Sequence, residues 1–325
     1  MPADALSDLL RTVRLTGAAY FEIAGREPWA VASPPRHLIL PKILPDADHL
    51  IAYHVVTAGR CFATVGDGHP IALEAGQALV VTNSDPHTMS SSPGMCADPP
   101  MPDVLEVAAA ANKPFCINLG EGPASTNLVC GYLACDARLF NPLLESLPPV
   151  IKAGDPAHDG AGWISQFIRF AVAEAAGKRA GSESVLTKLS ELLFIHVVRR
   201  YLETLPPEHA GWLAGLRDPL IGKVMSMMHA RPARDWTIDG LAREAGMSRS
   251  VLAERFAKLV GIPPMHYLAK WRMQVASELL TSGKTNLACI AADVGYKSEA
   301  SFSRAFKKMA GVPPSTWRRQ ERPGG

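Results

Sequence analysis

Histidine and cysteine are the first candidates for a functional site in this chain, because imidazoles bind metals and thiolates react with oxidants. Five histidines fall in one stretch of the first third: His37, His49, His54, His69 and His87. Five of the six cysteines follow in an overlapping stretch: Cys61, Cys96, Cys116, Cys130 and Cys135. Any metal site, redox site or polar pocket is therefore expected in the first half of the chain.

The thiols allow two interpretations. A sensing thiol needs exposure and a low pKa, and Cys96 stands in the stretch SSSPGMCADPPMP, whose composition predicts an exposed loop. Cys61, Cys116 and Cys130 stand in apolar runs, where a free thiol behaves as a small buried hydrophobe. The sequence is therefore consistent with either role for these cysteines, oxidant sensing or structural burial.

Length and composition limit the classes of protein. With 325 residues, the chain is long enough for two domains of roughly 100–200 residues each. Its 47% apolar and 20% charged residues exclude a disordered, collagen-like or coiled-coil chain. The N-terminus has no cationic segment leading into an apolar run, and no window approaches the roughly 18 apolar residues of a membrane span. We expect a cytoplasmic protein with reduced cysteines and no membrane partner.

The elements that position these side chains change character along the sequence. Residues 1–20 predict a short helix. From about Ala30 to Cys135, apolar runs alternate with turn residues, which is typical of an antiparallel barrel or sandwich. The runs are HLILPKI, HLIAYHVVTAG, CFATVGDGHPIALEAG, QALVVTNSDPH, FCINLGEG and NLVCGYLAC. Residues 162–176 and 185–202 then predict a helical hairpin, whose apolar stripe either meets a partner subunit or packs on the barrel.

The net charge of +2 conceals an uneven distribution. Residues 1–217 carry 16 Lys and Arg against 22 Asp and Glu, whereas residues 218–325 carry 17 against 9. A basic segment attracts the phosphate backbone of nucleic acids and an acidic one avoids it. The second segment is therefore the candidate for binding DNA.

An internal repeat lies within the basic segment. SRSVLAERFAKLVGIPP (248–264) aligns with SEASFSRAFKKMAGVPP (298–314) at an offset of 50, with six identical positions. The match continues upstream, with one residue slipped, between LAREAGMS (241–248) and IAADVGYKS (290–298). Each extended copy predicts a short helix, a glycine turn at Gly246 or Gly295, a serine N-cap at Ser248 or Ser298, and a second helix. This is the pattern of a helix-turn-helix, which presents its second helix to the major groove.

Residues 264–282 join the two copies and predict a continuous helix. At about 1.5 Å per residue it would be about 28 Å long, close to the roughly 34 Å of one DNA turn. Such a rod would hold both second helices on one face of a duplex, in consecutive major grooves.

Residues 218–320 resemble the DNA-binding region of the AraC/XylS family of bacterial transcription regulators. The match includes Gly246-Met247-Ser248, Arg255-Phe256, Tyr267-Leu268, Arg272, Gly295-Tyr296, Phe302-Ser303 and Phe306-Lys307. Upstream stretches such as CGYLACDARLFNPLLESLP resemble one branch of that family, whose sensor is a cupin-like barrel.

The resemblance implies a two-domain α+β protein. A cupin-like antiparallel β-barrel would occupy residues 1–150, and a helical hairpin with a linker, suited to dimerisation, residues 151–212. An all-α DNA-binding domain would occupy residues 213–325, with helix-turn-helix units at about 237–260 and 286–310 joined by the long helix.

Outward positions of the two second helices read bases in the family. Carried over, these are Arg249, Ser250, Ala253 and Glu254 in the first helix, and Glu299, Ala300, Ser301, Ser303 and Arg304 in the second. Arg304 is the strongest candidate, because a guanidinium binds a guanine edge bidentately. Glu254 and Glu299 either accept from a cytosine amino group or form salt bridges. Lys258, Lys307 and Lys308 are candidates for phosphate contacts.

The barrel is expected to sense a signal. One hypothesis is a small organic ligand at the barrel mouth, near Trp29, Tyr53 and Phe62, with His54 and His87 as polar groups. The other is an oxidant that reacts with a cysteine. A metal-binding cupin offers two histidines separated by one residue, but His54 is followed by Val55 and Val56. We therefore expect no metal and no cofactor.

The function predicted from these features is sequence-specific transcription regulation, activation more than repression, without enzymatic activity. The expected partners are double-stranded promoter DNA, a small-molecule or oxidant effector, a second copy of the chain, and RNA polymerase as a further candidate. The competing hypothesis is a cupin-type metalloenzyme with an accessory helical domain.

Overall fold

A computed structural model describes residues 5–12, 15–43, 47, 49–97, 115–135, 139–154, 162–177, 179–206, 210–282 and 285–320. The chain forms two compact units. Residues 15–136 and 147–203 form one, named here the barrel unit. Residues 1–14, 137–146 and 204–325 form the other, the helical unit.

The barrel unit is a mixed β-sheet structure. Its strands are β1 (Thr16–Arg26), β2 (Ala30–Ala32), β3 (His49–Val65), β4 (Ile71–Glu74), β5 (Ala78–Val81), β6 (His87–Ser90), β7 (Phe115–Leu119), β8 (Ala124–Cys135) and β9 (Val150–Ala153). The principal order is β2-β6-β3-β8-β1-β7, with β4 and β5 also on β3, and β9 on β5. The pair β1–β7 is parallel, so the expected purely antiparallel barrel is corrected to a mixed half-barrel.

Strand β3 connects the two parts of the half-barrel. Its first half pairs with β8 and β5, and its second half pairs with β4 and β6. The change of partner strands occurs at Gly59, which has φ 74°, and a Cβ there would collide with the Ser125 carbonyl. Glycine is therefore required at this close approach of two strands.

The interior of the half-barrel is filled by side chains that alternate along the strands. Val56, Cys61, Leu79, Leu128 and Cys130 belong to this cluster, and each is at most 1% exposed. Helices α4 (Trp163–Gly177) and α5 (Ser182–Thr204) form the predicted hairpin. Trp163 of α4 stacks on His196 of α5 at 4.0 Å between ring centroids.

One predicted strand is wrong. Residues 37–43, HLILPKI, lie in helix α2 (Arg36–Ile43) rather than in a strand. The helix begins directly after Pro34 and Pro35, and the amides of Leu38 and Ile39 donate to the Pro35 carbonyl. Pro34, Pro35 and Pro41 have no amide to donate to a neighbouring strand, which disfavours a paired strand at this point in spite of the apolar residues between them.

The helical unit draws on three stretches of chain. It contains α1 (Ala5–Thr12), α3 (Pro142–Ser146), α6 (Trp212–Arg217), α7 (Pro219–Ala230), α8 (Ile238–Ala245), α9 (Arg249–Val260), α10 (Pro264–Ser282), α11 (Leu287–Asp293), α12 (Glu299–Ala310) and α13 (Pro314–Gln320). Helix α10 has the bounds predicted for the rod. The described helices include none that is long and apolar enough to cross a membrane.

The boundary expected at residue 150 differs from the observed division. Leu6 and Leu9 of α1 are buried in the helical unit rather than in the barrel. The ring of Phe140 packs edge-on against Tyr267 of α10 at 5.6 Å, and its amide donates to Gln274 Oε1 at 3.0 Å. Burial of these apolar side chains places both short stretches with the helices. The structure otherwise confirms the predicted α+β organisation.

Candidate nucleic-acid interface

The first helix-turn-helix is formed by α8 and α9. Helix α8 ends at Gly246, whose φ of 77° is left-handed. Ser248 then caps α9, and its Oγ accepts a hydrogen bond from the Val251 amide at 3.3 Å. Leu252 and Phe256 are fully buried on the inner face of α9. The opposite face of α9 is therefore directed to solvent.

The second helix-turn-helix, α11 and α12, repeats this construction. Asn286 Oδ1 accepts from the Cys289 amide at 2.7 Å, and Gly295 follows the helix with φ 81°. Ser298 Oγ accepts from the Ser301 amide at 3.2 Å. Phe302 and Phe306 are fully buried, in the same positions as Leu252 and Phe256 of the first unit. The repeat in sequence is thus a repeat in structure.

All nine predicted base-reading side chains are exposed or half-buried. The exposed ones are Arg249, Ser250, Glu254, Glu299, Ala300 and Arg304, and the half-buried ones are Ala253, Ser301 and Ser303. The three lysines predicted to contact phosphates are also exposed: Lys258, Lys307 and Lys308. These side chains lie on the two helices away from the buried phenylalanines, so a duplex could reach them.

The charged residues among the predicted base-reading positions differ in whether they form ion pairs. Arg249 Nη1 lies 3.7 Å from Asp239 Oδ2, with both side chains more than half exposed, and such pairs contribute little. Within the described part of the chain, Glu254, Glu299 and Arg304 take part in no salt bridge. The alternative of a local ion pair for the two glutamates therefore finds no support, and Arg304 keeps its guanidinium available.

Two serines are partly engaged by the helix caps. Ser301 Oγ donates to the Ser298 carbonyl at 2.8 Å and lies 3.1 Å from Ser298 Oγ. Ser250 Oγ lies 3.2 Å from Ser248 Oγ. A base contact by either hydroxyl would require it to exchange or share these partners.

Arg255 is a polar residue of α9 whose role the sequence did not reveal. Its Nε donates to Asp218 Oδ2 at 3.0 Å, and Asp218 caps α7 through the amides of Leu220 and Ile221. Burial alone raises the pKa of the Asp218 carboxyl, but hydrogen bonds from Ile221 and Arg255 hold it below its usual value. Arg255 therefore links α9 to the N-terminus of α7.

Only some of the candidate effector-site residues of the barrel unit lie close together. His54 Nδ1 lies 3.0 Å from Cys130 Sγ, and His54 Nε2 lies 2.8 Å from His87 Nε2. His87 Nδ1 lies 2.8 Å from the Asp85 carbonyl oxygen. We name these residues the Cys130–His54–His87 chain. All three side chains are buried.

The directions of these hydrogen bonds follow from the carbonyl, which can only accept. His87 Nδ1–H donates to Asp85, so neutral His87 accepts at Nε2 from His54 Nε2–H. His54 then accepts at Nδ1 from the Cys130 thiol. Burial and the neighbouring His87 lower the pKa of His54, burial lowers that of His87, and burial followed by Cys61 raises that of Cys130. The three side chains of the Cys130–His54–His87 chain are therefore all neutral.

The proposed ligand-pocket residues are not brought together. Tyr53 lies on the opposite face of β3 from His54, and its hydroxyl hydrogen-bonds to Ser190 Oγ of α5 at 2.6 Å. Trp29 belongs to the filled interior, where its Nε1 donates to Ser125 Oγ at 3.3 Å. Phe62 is half-buried on the other face of β3 from Cys61. The expectation of one mouth lined by these residues is therefore not met, since strand alternation separates them.

The remaining thiols differ in exposure. Cys61 and Cys135 are buried, whereas Cys96 and Cys116 are exposed, which corrects the expectation of burial for Cys116. Burial raises the pKa of Cys61 to about 12, and partial burial followed by Glu22 raises that of Cys116. Among the described residues there is no group of three metal-ligating side chains that could hold an ion.

Comparison with known proteins gives matches over both units. The Cupin family model matches residues 4–203, and the Helix-turn-helix domain model matches residues 241–320. A putative AraC-like transcription regulator of Streptomyces antibioticus is 31% identical over 98% of this chain and 100% of its own length. A second, from Streptomyces lividans, is 33% identical over 84% and 88%. The regulator AlkR of Acinetobacter baylyi is 27% identical over 98% and 99%.

Proposed function

The chain belongs to the family of AraC-like transcription regulators, and from this premise we propose that it reads specific promoter sequences with α9 and α12. The observation that carries the proposal is the pair of capped helix-turn-helix units, each with one buried apolar face and one exposed polar face. The basic charge of residues 218–325 supports it, because Lys and Arg near phosphates supply affinity for any duplex.

Arg304 is proposed as the main base-reading residue. Its side chain is exposed on α12, and a bidentate contact to guanine discriminates by about 1–3 kcal/mol. Lys307 lies three positions after Arg304 on α12. It is proposed to contact phosphate, which carries no sequence information. Glu254 and Glu299 are proposed as acceptors for cytosine amino groups.

The test compares Arg304→Ala with Lys307→Ala on two duplexes, one enriched from a random library by the wild-type chain and one scrambled. Arg304→Ala should weaken binding to the enriched duplex by roughly 5- to 150-fold and to the scrambled duplex by much less. Lys307→Ala should weaken both similarly and reduce the salt slope by about 1. An equal loss on both duplexes for Arg304→Ala would contradict its role.

The barrel unit is proposed to sense a small organic ligand rather than an oxidant. A reactive cysteine must be a thiolate, whereas burial raises the pKa values of Cys61 and Cys130. An oxidant would have to act at an exposed thiol such as Cys96. The Cys130–His54–His87 chain is the polar feature of the interior that a ligand could engage by exchanging one hydrogen bond.

Activation, in contact with RNA polymerase in the cytoplasm, is proposed as the mode of action. A homodimer is proposed through the outer face of the α4–α5 hairpin, where Phe170 and Leu192 are each 53% exposed. Val185 and Leu189 continue the apolar stripe on α5. Lys188 and Glu191, paired at 2.9 Å, place both charge signs beside the stripe, which suits a surface that meets its own copy.

A further inference from the structure

Arg272 lies in the middle of α10 and binds the loop that precedes the first helix-turn-helix. Its Nε donates to the Pro232 carbonyl at 2.8 Å, and its Nη2 donates to the Arg234 carbonyl at 2.8 Å. A planar guanidinium that makes two hydrogen bonds in fixed directions restrains the backbone more strongly than a single flexible donor. Two hydrogen bonds thus hold helix α10 against the loop formed by residues 231–236.

That loop is in turn fastened to the first helix-turn-helix. Trp236 Nε1 donates to the Arg231 carbonyl at 3.0 Å, and the Arg234 guanidinium lies 4.0 Å from the centre of the Trp236 ring. Glu244 of α8 forms ion pairs with Arg231, at 3.5 Å, and with Arg234. The loop and α8 are therefore expected to move together.

The same guanidinium contacts the turn of the second helix-turn-helix. It lies 6.0 Å from the centre of the Tyr296 ring. A Cβ added at Gly295 would come within 2.8 Å of Arg272 Nη2 and 2.8 Å of the Ala233 carbonyl oxygen. Three elements therefore meet at one point: the loop of the first unit, the rod, and the turn of the second unit.

We propose that Arg272 is a positioning residue that fixes the two reading helices relative to one another and so sets the spacing of the sequences that they read. The inference rests on the proposed DNA-binding function. Each base pair advances a duplex by about 3.4 Å and about 35°. A reader with a fixed angle between its two helices must therefore discriminate strongly against one added or removed base pair, whereas a loosened reader tolerates the change.

Arg272→Met tests this with the full chain. Methionine keeps an apolar stem and removes the donors, and the residues that supply the two carbonyls are half-buried or exposed, so water can replace the guanidinium and the chain should fold. The probes are the duplex enriched by the wild-type chain, versions with one base pair inserted or deleted between the two reading sites, and a version with one site scrambled.

The wild-type chain should bind the respaced duplexes at least tenfold more weakly than the enriched one. For Arg272→Met this ratio should fall to threefold or less, while its affinity for the single-site duplex stays within twofold of wild type. A ratio unchanged from wild type, or an equal loss on the single-site duplex, would overturn the proposal. If the wild-type chain enriches no duplex at all, the DNA-reading function itself fails, and the inference with it.

Two glycines provide a matched second pair of variants. Gly295 and Gly246 both have left-handed φ, of 81° and 77°, so alanine strains the backbone at either. Only Gly295 adjoins the Arg272 contacts, since a Cβ at Gly246 would meet nothing within 4 Å. Gly295→Ala should reduce the spacing ratio as Arg272→Met does, and Gly246→Ala should retain it. The same ratio for both variants would contradict the proposed role.

Discussion

At the scale of single residues, burial decides which titratable side chains carry charge. His229 is stacked on Trp271 at 3.7 Å and lies 2.7 Å from the Tyr267 hydroxyl. Burial lowers its pKa to about 3, as burial also lowers the pKa values of His54 and His87. Three imidazoles therefore serve as neutral hydrogen-bonding groups in this protein.

This predicts a loss of stability as the pH falls. Between about 6.5, the usual pKa of histidine, and about 3, the unfolded chain takes up a proton at His229 and the folded chain does not. The free energy of unfolding should therefore fall by up to about 1.4 kcal/mol per pH unit from this residue. Urea unfolding at several pH values, followed by tryptophan fluorescence, measures the slope.

The control variants separate His229 from other titrating groups. His229→Phe keeps an aromatic ring against Trp271 and should reduce the slope between pH 6.5 and 5. Over that range the loss of stability due to His229 integrates to about 1.7 kcal/mol, because an unfolded histidine is half-protonated at pH 6.5. His266→Gln, at an exposed position, should leave it unchanged. A wild-type slope in the His229→Phe variant would show that this residue is not held neutral.

At the scale of elements, the repeat was predictable because its signals are local. A glycine with left-handed φ, a serine cap and two apolar residues four apart are each readable in sequence. The residues that orient these elements were not, because Arg272 and Arg255 bind partners 37 to 40 positions away. The separate faces of Tyr53 and His54 follow from strand alternation once β3 is known.

Among the strands that the sequence did not predict, β1 and β9 were missed for the same reason. Strand β1 begins with Thr16, Gly17, Ala18 and Ala19, of which the glycine and the alanines have weak β-propensity, and it is defined by its long-range pairing with β8. Strand β9 is only four residues long and pairs with β5. Their assignment depends on partners about 70 to 120 positions away.

The caps of the second helices should contribute measurably to stability. Ser248→Ala and Ser298→Ala each remove an acceptor for one backbone amide and should each lower the free energy of unfolding by about 1 kcal/mol. Ser315→Ala, at an exposed position of α13, should change it by less than about 0.5 kcal/mol. Equal values for all three variants in urea unfolding would contradict the role of the caps.

At the scale of the whole molecule, the units are not contiguous in sequence. The helical unit includes residues 137–146, which lie between strands β8 and β9 of the barrel unit. Composition alone cannot assign residues 137–146 to the helical unit, because a segment of ten residues is too short to show a clear hydrophobic periodicity. Its apolar contacts, such as Phe140 on Tyr267, decide its place.

The proposed homodimer gives a prediction at this scale. Leu192→Glu places a charge in the exposed apolar stripe of α5 and should shift the chain to monomer at micromolar concentration, because a charge left unpaired in an interface costs several kcal/mol. Leu38→Glu, at another exposed leucine, should leave the mass unchanged. Sedimentation velocity measures both, and a wild-type chain that stays monomeric would contradict the interface.

The central claim is that this protein reads specific DNA sequences. The most direct test is the salt dependence of binding to the enriched and the scrambled duplex, measured with the wild-type chain. We expect affinity for both to fall steeply with salt, and the enriched duplex to bind at least about 1,000-fold more tightly at physiological salt. Equal affinity for the two duplexes, or no binding at low salt, would contradict the account.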